Sequence, residues 1–481
     1  MYEQIQYSEL LNAVAEGREI RTDSRQVEKG DIFVALPGFN HNAAQFIPHA
    51  LDKGAEYVVC KQNVENFPCT EKLQIYRCSD PNVALGQLAR IRYGTGEFAY
   101  KLIGITGTNG KTTISYLLEH MLEQAGWKVG VMGTISYRCP GFEQEADLTT
   151  PGCLQTHALL SRMGKEKVDA ICMEVSSHAL DQGRVLGLNF DLAVFSNLSQ
   201  DHLDYHKEME SYFRSKARLF GSVNGHKPVS VINLDDSYGA RLAEENKAKW
   251  GYTLQGECRG VKNCLQGELL QNSRKGLKLY LYAQDREWGL SSSLIGGYNA
   301  SNLLAVQATG WELGLDLQQL QNINAFSGVP GRLEWIPNSR GLHIFLDYAH
   351  TPDALQNLLS TLRELDFANI VVLFGCGGDR DKNKRPRMGR VVSKYADKIV
   401  LTSDNPRNEN PGQIIAEILP GIEKEVEVLK IEDRRKAIAT AISQLGKKDV
   451  LIIAGKGHEN YQQVGEEKVQ FNDAAVAREL L

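Results

Sequence analysis

Short apolar runs recur along the chain, and most end in a polar turn that leads into helical periodicity. Asp31–Leu36 and Ala55–Cys60 predict strands near the N-terminus, followed by a helix over Asn82–Tyr93. Leu102–Ile105, Lys128–Met132, Val168–Val175, Phe190–Phe195 and Lys227–Leu234 predict a second set, with a helix over Ser115–Gln124. Residues 251–295 lack helical periodicity and predict antiparallel strands, before a helix from Gly297 to about Leu313. A third set follows at Leu342–Asp347, Asn369–Phe374, Lys398–Thr402, Glu425–Leu429 and Asp449–Ala454. Strands alternating with helices predict mostly parallel α/β sheets, whose ligands gather at the carboxyl ends of the strands. Gly94-Thr95-Gly96 reads as a linker and Gly328–Arg332 as a hinge, which divides the chain into 1–98, 99–330 and 331–481. A length of 481 residues suits about three domains.

One stretch breaks the pattern. Met209, Tyr212, Phe213, Lys216, Leu219 and Phe220 share one helix face, with Lys216 in the middle of the apolar stripe. Periodicity alone favours a lysine that snorkels its ammonium to water. The other reading is a desolvated, partly neutral amine that takes up CO₂ as a carbamate, an anion fit to bind Mg²⁺ beside Glu174 and His202.

Hydrophobic content of 42% and charged content of 23% are those of an ordinary globular protein. A net charge of -5 gives no nucleic-acid footprint, and the short basic run Lys382–Arg390 suits a small anion or a solvated face. The nine cysteines form no Cys-x-x-Cys pair and read as reduced thiols. Residues 1–10 lack the apolar core of a signal peptide, and no 18-residue apolar run occurs, so a cytoplasmic protein without a membrane anchor is expected.

The candidate chemistry centres on Gly107-Thr108-Asn109-Gly110-Lys111-Thr112-Thr113, set between a strand and a helix. Glycines let backbone N–H groups approach phosphate, the helix N-terminus adds positive charge, Lys111 reaches the terminal phosphates, and Thr112 offers a hydroxyl to Mg²⁺. The standard phosphate-loop pattern wants glycine where Ile105 stands. Polar turns close several strands of the third set: Asp347–His350, Gly377–Arg380, Ser403–Arg407 and Gly455–Glu459. Four such turns at one sheet edge predict a substrate site.

Together these motifs resemble the Mur ligase family of ATP-dependent amide ligases. The marks are the loop 107–113, Glu174–His178, Ser196–Asp204, Tyr298–Asn302, Gly331-Arg332 and Asp347–Asp353, and they span essentially the whole chain. The family's shortened phosphate loop accounts for Ile105, and its carbamylated lysine falls at Lys216. Asp23–Arg25, His41–Gln45, Thr149–Pro151, Gly377–Asp381, Asp404–Arg407 and Gly455–Glu459 resemble the branch that adds the third residue of the stem peptide. The resemblance implies a UDP-sugar-binding N-terminal domain, a central ATP-binding sheet and a Rossmann-like C-terminal domain. It also implies two Mg²⁺ sites on Thr112, Glu174, His202 and the Lys216 carbamate, with Asn302, Arg332 and Asp347 contacting ATP. The implied substrates are UDP-N-acetylmuramoyl-L-alanyl-D-glutamate and meso-diaminopimelate, joined by a monomeric enzyme. Ser24, His41, Asn42 and Ala43 would meet the nucleotide of the first, and Thr149, Thr150, Ser176, Gln182 and Arg184 its sugar and peptide. Arg380, Asp404, Asn405, Pro406, Arg407, Gly455 and Glu459 would hold the amino acid, the arginines gripping its distal carboxylate. Closure near residues 98 and 330 would assemble the site. An L-lysine-adding enzyme, a folylpolyglutamate synthase relative and a non-catalytic regulator that binds UDP-sugar and ATP are the alternatives.

Overall fold

The computed structural model describes residues 3–37, 43–64, 73–223, 225–326 and 328–481. They form two compact units, Met1–Cys264 with Ala305–Gln319, and Leu265–Leu304 with Leu320–Leu481. The architecture is α/β throughout.

The first unit holds two sheets. One is a five-stranded parallel sheet in the order Glu3–Gln4, Gln74–Cys78, Tyr57–Lys61, Ile32–Val34, Ile20–Arg21. The helix Pro81–Tyr93 follows it, started by the Asp80 carboxylate accepting from Asn82 N and stopped at Gly94, whose φ is 61°. The other sheet runs Trp250–Thr253, Val229–Asn233, Leu192–Phe195, Lys101–Thr106, Ala170–Glu174, Val129–Met132, all parallel. Its far edge continues into the antiparallel strands Ser136–Cys139 and Phe142–Glu145. The central strands are buried on both faces, so they read as continuous apolar runs. Gly104 belongs to that packing, since a Cβ there would lie 2.8 Å from the Phe190 ring.

The second unit carries the strand Asn263–Ser273 from Leu265 onward, antiparallel to Gly276–Ala283, which pairs in turn with Arg286–Ser292. Its main sheet orders Glu334–Trp335, His343–Asp347, Val450–Ala454, Ile370–Phe374, Lys398–Leu401 and Glu427–Lys430, parallel except for the first pair. Apolar cores pack on both faces of this sheet. A hairpin, Tyr461–Val464 with Glu467–Gln470, stands beside it as a separate two-stranded sheet.

Two expectations are corrected. Cys258 and Cys264, six positions apart, form a disulfide rather than remaining free, with their Cα atoms 5.8 Å apart. The helix after the phosphate loop starts at Lys111, not Ser115, because Gly110 at φ 90° turns the chain directly into it.

Candidate functional site

The strand Lys101–Thr106 delivers the phosphate loop to the carboxyl edge of the central sheet. Gly107 has φ 150°, and a Cβ on it would lie 1.9 Å from Ser196 Oγ, so only glycine fits. The next strand's turn clamps the loop: Thr108 N donates to Asn197 O and Asn109 N to Asn197 Oδ1, both at 2.9 Å. Ser196 Oγ donates to Asn109 O at 2.6 Å, and Thr108 Oγ1 meets the Tyr212 hydroxyl at 3.1 Å. Lys111 Nζ curls back onto Gly107 O at 2.8 Å and Thr108 O at 2.9 Å. Gly110 and the backbone of Thr112 and Thr113 complete the helix N-terminus.

Glu174 ends the neighbouring strand, fully buried, and gathers three donors. Thr112 Oγ1 reaches its Oε2 at 3.0 Å, Thr134 Oγ1 the same oxygen at 2.9 Å, and Thr134 N its Oε1 at 3.1 Å. Sequence reasoning missed Thr134; the polar Gly133-Thr134 step after the strand Val129–Met132 was the available signal. A Cβ on Gly133 would sit 2.2 Å from Glu174 Oε1, so this glycine makes room for the carboxylate. A buried carboxylate beside a threonine hydroxyl is a hard oxygen set that fits Mg²⁺.

From Glu174 a continuous network leads to the residues expected to hold sugar and peptide. Thr134 Oγ1 meets Thr149 Oγ1 at 3.1 Å, and Thr150 Oγ1 donates to Glu174 O at 2.8 Å. Ser176 N donates to Thr150 Oγ1 at 3.1 Å, and Ser176 Oγ caps the helix Ser177–Asp181. Arg184 Nη1 donates to Thr150 O at 2.9 Å and Nη2 to Gln182 Oε1 at 2.7 Å.

Lys216 does not snorkel. It is 1% exposed on the helix Met209–Ala217, with Nζ on Gly107 O at 2.7 Å and 4.7 Å from the centroid of the Tyr212 ring. The Tyr212 and Phe213 flanks of the stripe are buried with it. Burial, with Lys111 close by, pulls its pKa well below that of an ordinary lysine. His202 sits at φ 53°, with Nε2 3.4 Å from Asp201 Oδ2 and its ring edge-on to His178 at 4.8 Å. Its strand, Leu192–Phe195, and that of Glu174 flank the phosphate-loop strand on opposite sides rather than lying side by side. Among the described residues no three His, Cys, Asp or Glu side chains gather as a metal-binding group.

Between the strands Ile20–Arg21 and Ile32–Val34, Ser24 opens the 3-10 turn Ser24–Gln26 and is buried, with its hydroxyl 3.0 Å from His49 Nδ1. Ala43 N donates to Leu36 O at 3.1 Å and opens the short turn Ala43–Phe46. His41 and Asn42 lie outside the described residues.

The second unit brings together the residues expected for the rest of the nucleotide. Asp347 accepts from Leu333 N at 2.7 Å and Ala349 N at 2.8 Å, and burial raises its pKa against the opposing pull of Arg332. The Arg332 guanidinium lies 4.9 Å from the Tyr348 ring centroid, while its Nε is buried without a partner among the described residues. An orphaned guanidinium donor next to a buried carboxylate suits a phosphate or ribose. Asn302 donates to Asn299 Oδ1 at 3.1 Å, one turn away on the helix Gly297–Glu312.

The amino-acid turn assembles on the six-stranded sheet. Asn405 Nδ2 donates to Glu459 Oε2 at 2.9 Å, and Gln462 Nε2 donates to Asp404 O at 2.6 Å. A Cβ on Gly455 would meet Asp404 Oδ2 at 2.7 Å, and one on Gly378 would lie 1.8 Å from Pro406 O. Arg407, at φ 49°, donates through Nη1 to Gly378 O at 2.8 Å. Its N–H and C=O pair with Gln463 O and Gly465 N, so the hairpin holds its backbone. Arg380 is exposed, and a Cβ on Gly377 would lie 2.9 Å from Arg407 Nη1 and 3.8 Å from Arg380 Cγ, so both arginines border the same glycine. The hairpin carries no apolar periodicity and was not singled out in the sequence, while Lys456, which bonds Asn405 and Glu459, lies inside the Gly455–Glu459 turn that was picked out but had no role of its own there.

Three family descriptions match the chain: the Mur ligase catalytic domain over residues 18–93, the Mur ligase middle domain over 105–310, and the Mur ligase glutamate ligase domain over 331–457. A Lawsonia intracellularis protein described as UDP-N-acetylmuramoyl-L-alanyl-D-glutamate--2,6-diaminopimelate ligase is 49% identical over 459 residues, 95% of each chain. A protein of the same description from Trichormus variabilis is 41% identical over 475 residues, 98% of this chain and 95% of its own. A solved structure of a ligase so described is 35% identical with a TM-score of 0.70, covering 96% of this chain and 94% of its own. MurF from Acinetobacter baumannii, at 19% identity and a TM-score of 0.59 over 93% of this chain and 95% of its own, shares the fold. The chain belongs to the Mur ligase family.

Proposed function

We propose that this protein is the ATP-dependent, ADP-forming ligase that joins meso-2,6-diaminopimelate to the D-glutamyl γ-carboxylate of UDP-N-acetylmuramoyl-L-alanyl-D-glutamate, in peptidoglycan precursor synthesis. The observation that carries it is the convergence of two amines, Lys111 and Lys216, on the phosphate loop whose Thr112 bonds Glu174. Full-length similarity to ligases of that description supports the substrate pair.

The γ-carboxylate attacks the γ-phosphorus of ATP, the bond to the bridging oxygen breaks, and ADP departs from an acyl phosphate. Loop N–H groups and Lys111, released from its carbonyls, neutralise the charge in transfer. The amine of diaminopimelate then adds to the acyl carbon, phosphate leaves, and the nitrogen gives up a proton as the amide forms. Thr112 and Glu174, with His202 and a carbamate on Lys216, would hold Mg²⁺, which would supply Lewis acidity for the phosphoryl transfer. The depressed basicity of Lys216 supports that last assignment, since a neutral amine reacts with CO₂ and an ammonium does not.

In this reading Thr149, Thr150, Ser176, Gln182 and Arg184 receive the muramoyl dipeptide, and Ser24 and the 41–43 segment receive uridine diphosphate. Asn302, Arg332 and Asp347 receive adenosine phosphate. Asp404, Asn405, Arg407, Arg380, Gly455 and Glu459 receive the distal amino-acid group. Residues 1–98, 99–330 and 331–481 serve as the three functional segments of a cytoplasmic, monomeric enzyme. No helix among the described residues is long and apolar enough to cross a membrane.

The test is phosphate release from ATP with the UDP-linked dipeptide and either diaminopimelate, L-lysine or neither. Release that depends on diaminopimelate, with a tripeptide product, is expected. Release with lysine instead overturns the specificity, and release with neither overturns the ligase reading.

A further inference from the structure

Lys456 is fully buried, 0% exposed, in the turn that follows the strand Val450–Ala454. Its neighbours Gly455 and Gly457 have φ of 109° and 52°, so the backbone around it is fixed in a form few side chains tolerate. Burying an ammonium is expensive unless it is paired and hydrogen-bonded. Here Nζ donates to Glu459 Oε2 at 2.8 Å and to Asn405 Oδ1 at 3.1 Å, 5.6 Å from the Tyr461 ring centroid. Gln463 N donates to the same Asn405 oxygen at 2.9 Å, so the Asn405 amide can turn only its NH₂ toward Glu459. Both Lys456 and Asn405 bond Oε2, which leaves Oε1 of Glu459 for a ligand.

We infer that Lys456 is a specificity-determining positioning residue: its ammonium orients Asn405 and Glu459 and offsets the Glu459 charge, which biases the site toward an amino acid whose distal end is zwitterionic. The inference rests on the proposed function, in which these residues meet the distal group of diaminopimelate. That group carries an ammonium and a carboxylate, with no net charge. The distal end of lysine is a bare ammonium. Without Lys456, Glu459 would stand as an unbalanced carboxylate, and the site would favour the cation over the zwitterion. A purely structural ion pair would instead affect both amino acids alike.

The experiment compares kcat/KM for diaminopimelate and for L-lysine, with KM for ATP as control, in wild type, Lys456→Met, Lys456→Gln and Lys456→Arg. Wild type using diaminopimelate establishes the functional reading separately. Lys456→Met is expected to lower the diaminopimelate-to-lysine ratio about tenfold, the scale of one charge contact in a site, with KM for ATP unchanged. Lys456→Gln carries the same comparison should the methionine variant not fold, and Lys456→Arg, which keeps the charge, should restore most of the preference. An unchanged ratio, or equal losses for both amino acids, overturns the inference while the functional reading stands. A wild type without amino-acid-dependent turnover overturns both.

Discussion

Lys111 and Lys216, one at the start of the phosphate-loop helix and one on the helix Met209–Ala217, donate to the same carbonyl oxygen of Gly107 at 2.8 and 2.7 Å. Two amines on one oxygen repel, and the nearby Lys111 adds to burial in depressing the pKa of Lys216. Below the ordinary lysine value of 10.5 the unfolded chain takes up a proton that the buried amine resists. The native state therefore loses stability as pH falls from that value toward the depressed one. Lys216→Met should raise the stability of the ligand-free, CO₂-free protein at neutral pH by about 1–3 kcal/mol, a gain that disappears above the ordinary lysine value. The same variant should lose activity by more than about 10²-fold. Denaturant melts across pH, run beside ATP turnover, check both; equal stability at all pH values would show the amine to be at no disadvantage.

Glu174 is held by hydroxyl and amide donors rather than by a cationic side chain, and Gly133 leaves the space in which it lies. Gly133→Ala puts a methyl 2.2 Å from Oε1. It should cut turnover at least about tenfold, the usual penalty for moving a catalytic group by a fraction of an ångström, and raise the Mg²⁺ concentration needed for half activity. Chelation of Mg²⁺ should abolish turnover in both proteins. A Gly133→Ala enzyme with unchanged Mg²⁺ dependence would remove the positional role given to this glycine.

Arg407 occupies left-handed backbone at φ 49°, so Arg407→Gly removes the guanidinium while relieving rather than adding strain. With a charge-assisted contact to the distal carboxylate lost, kcat/KM for diaminopimelate should fall about 10²-fold, on the order of 2–3 kcal/mol. KM for ATP should hold. Unchanged use of diaminopimelate would take the carboxylate-gripping role away from this residue.

How far these sites could be read from residues depended on whether they leave a periodic trace. The central strands of the three main sheets announced themselves as buried apolar runs, whereas Ile20–Arg21, Gln74–Cys78 and Glu334–Trp335 are short or only half-buried and left no such run, and Lys216 stood out because a charge interrupted a helical stripe that the fold does bury. The hairpin Tyr461–Val464/Glu467–Gln470 left no such trace, since both its strands are polar or exposed and only Gly465, at φ 60°, marks the turn. Lys456 and Thr134 act through tertiary hydrogen bonds formed in turns, where side-chain order in sequence carries little information. The Cys258–Cys264 pair has no Cys-x-x-Cys spacing to mark it, and only the fold of the loop between them brings the two together.

His157 is buried, with Nδ1 2.7 Å from Thr95 Oγ1 and Nε2 3.0 Å from Leu186 O, and burial pushes its pKa down to about 4. The folded state keeps the ring neutral where the unfolded chain would protonate it. Stability is therefore unaffected above pH 6.5 and lost as pH falls from there through about 4. The loss has a ceiling of about 3 kcal/mol for a shift of this size. His157→Gln, which can still bond both neighbours, should flatten the acid limb of the first unit's unfolding curve. Urea titrations at several pH values between 4 and 7 measure it; parallel slopes for the two proteins would assign the acid sensitivity elsewhere.

Arg434 and Asp473 form a fully buried ion pair in the second unit, with guanidinium–carboxylate contacts of 2.6 and 2.7 Å. The same guanidinium also donates to Ser403 O at 3.3 Å and Ala454 O at 3.1 Å, the residues just before Asp404 and Gly455. Arg434→Met alone strands a carboxylate in the core and should destabilise by about 3–5 kcal/mol. Arg434→Met with Asp473→Leu removes both charges and should recover most of that loss, since buried pairs contribute little net stability against apolar replacements. The two carbonyls, however, lose their donor in both variants. If the guanidinium also sets the spacing of the two turns, the double variant should fold well yet bind diaminopimelate several-fold more weakly, with KM for ATP unchanged. Denaturant melts paired with amino-acid saturation curves separate the effects: recovered stability with a raised KM identifies a positioning pair, and recovery of both confines the pair to the core.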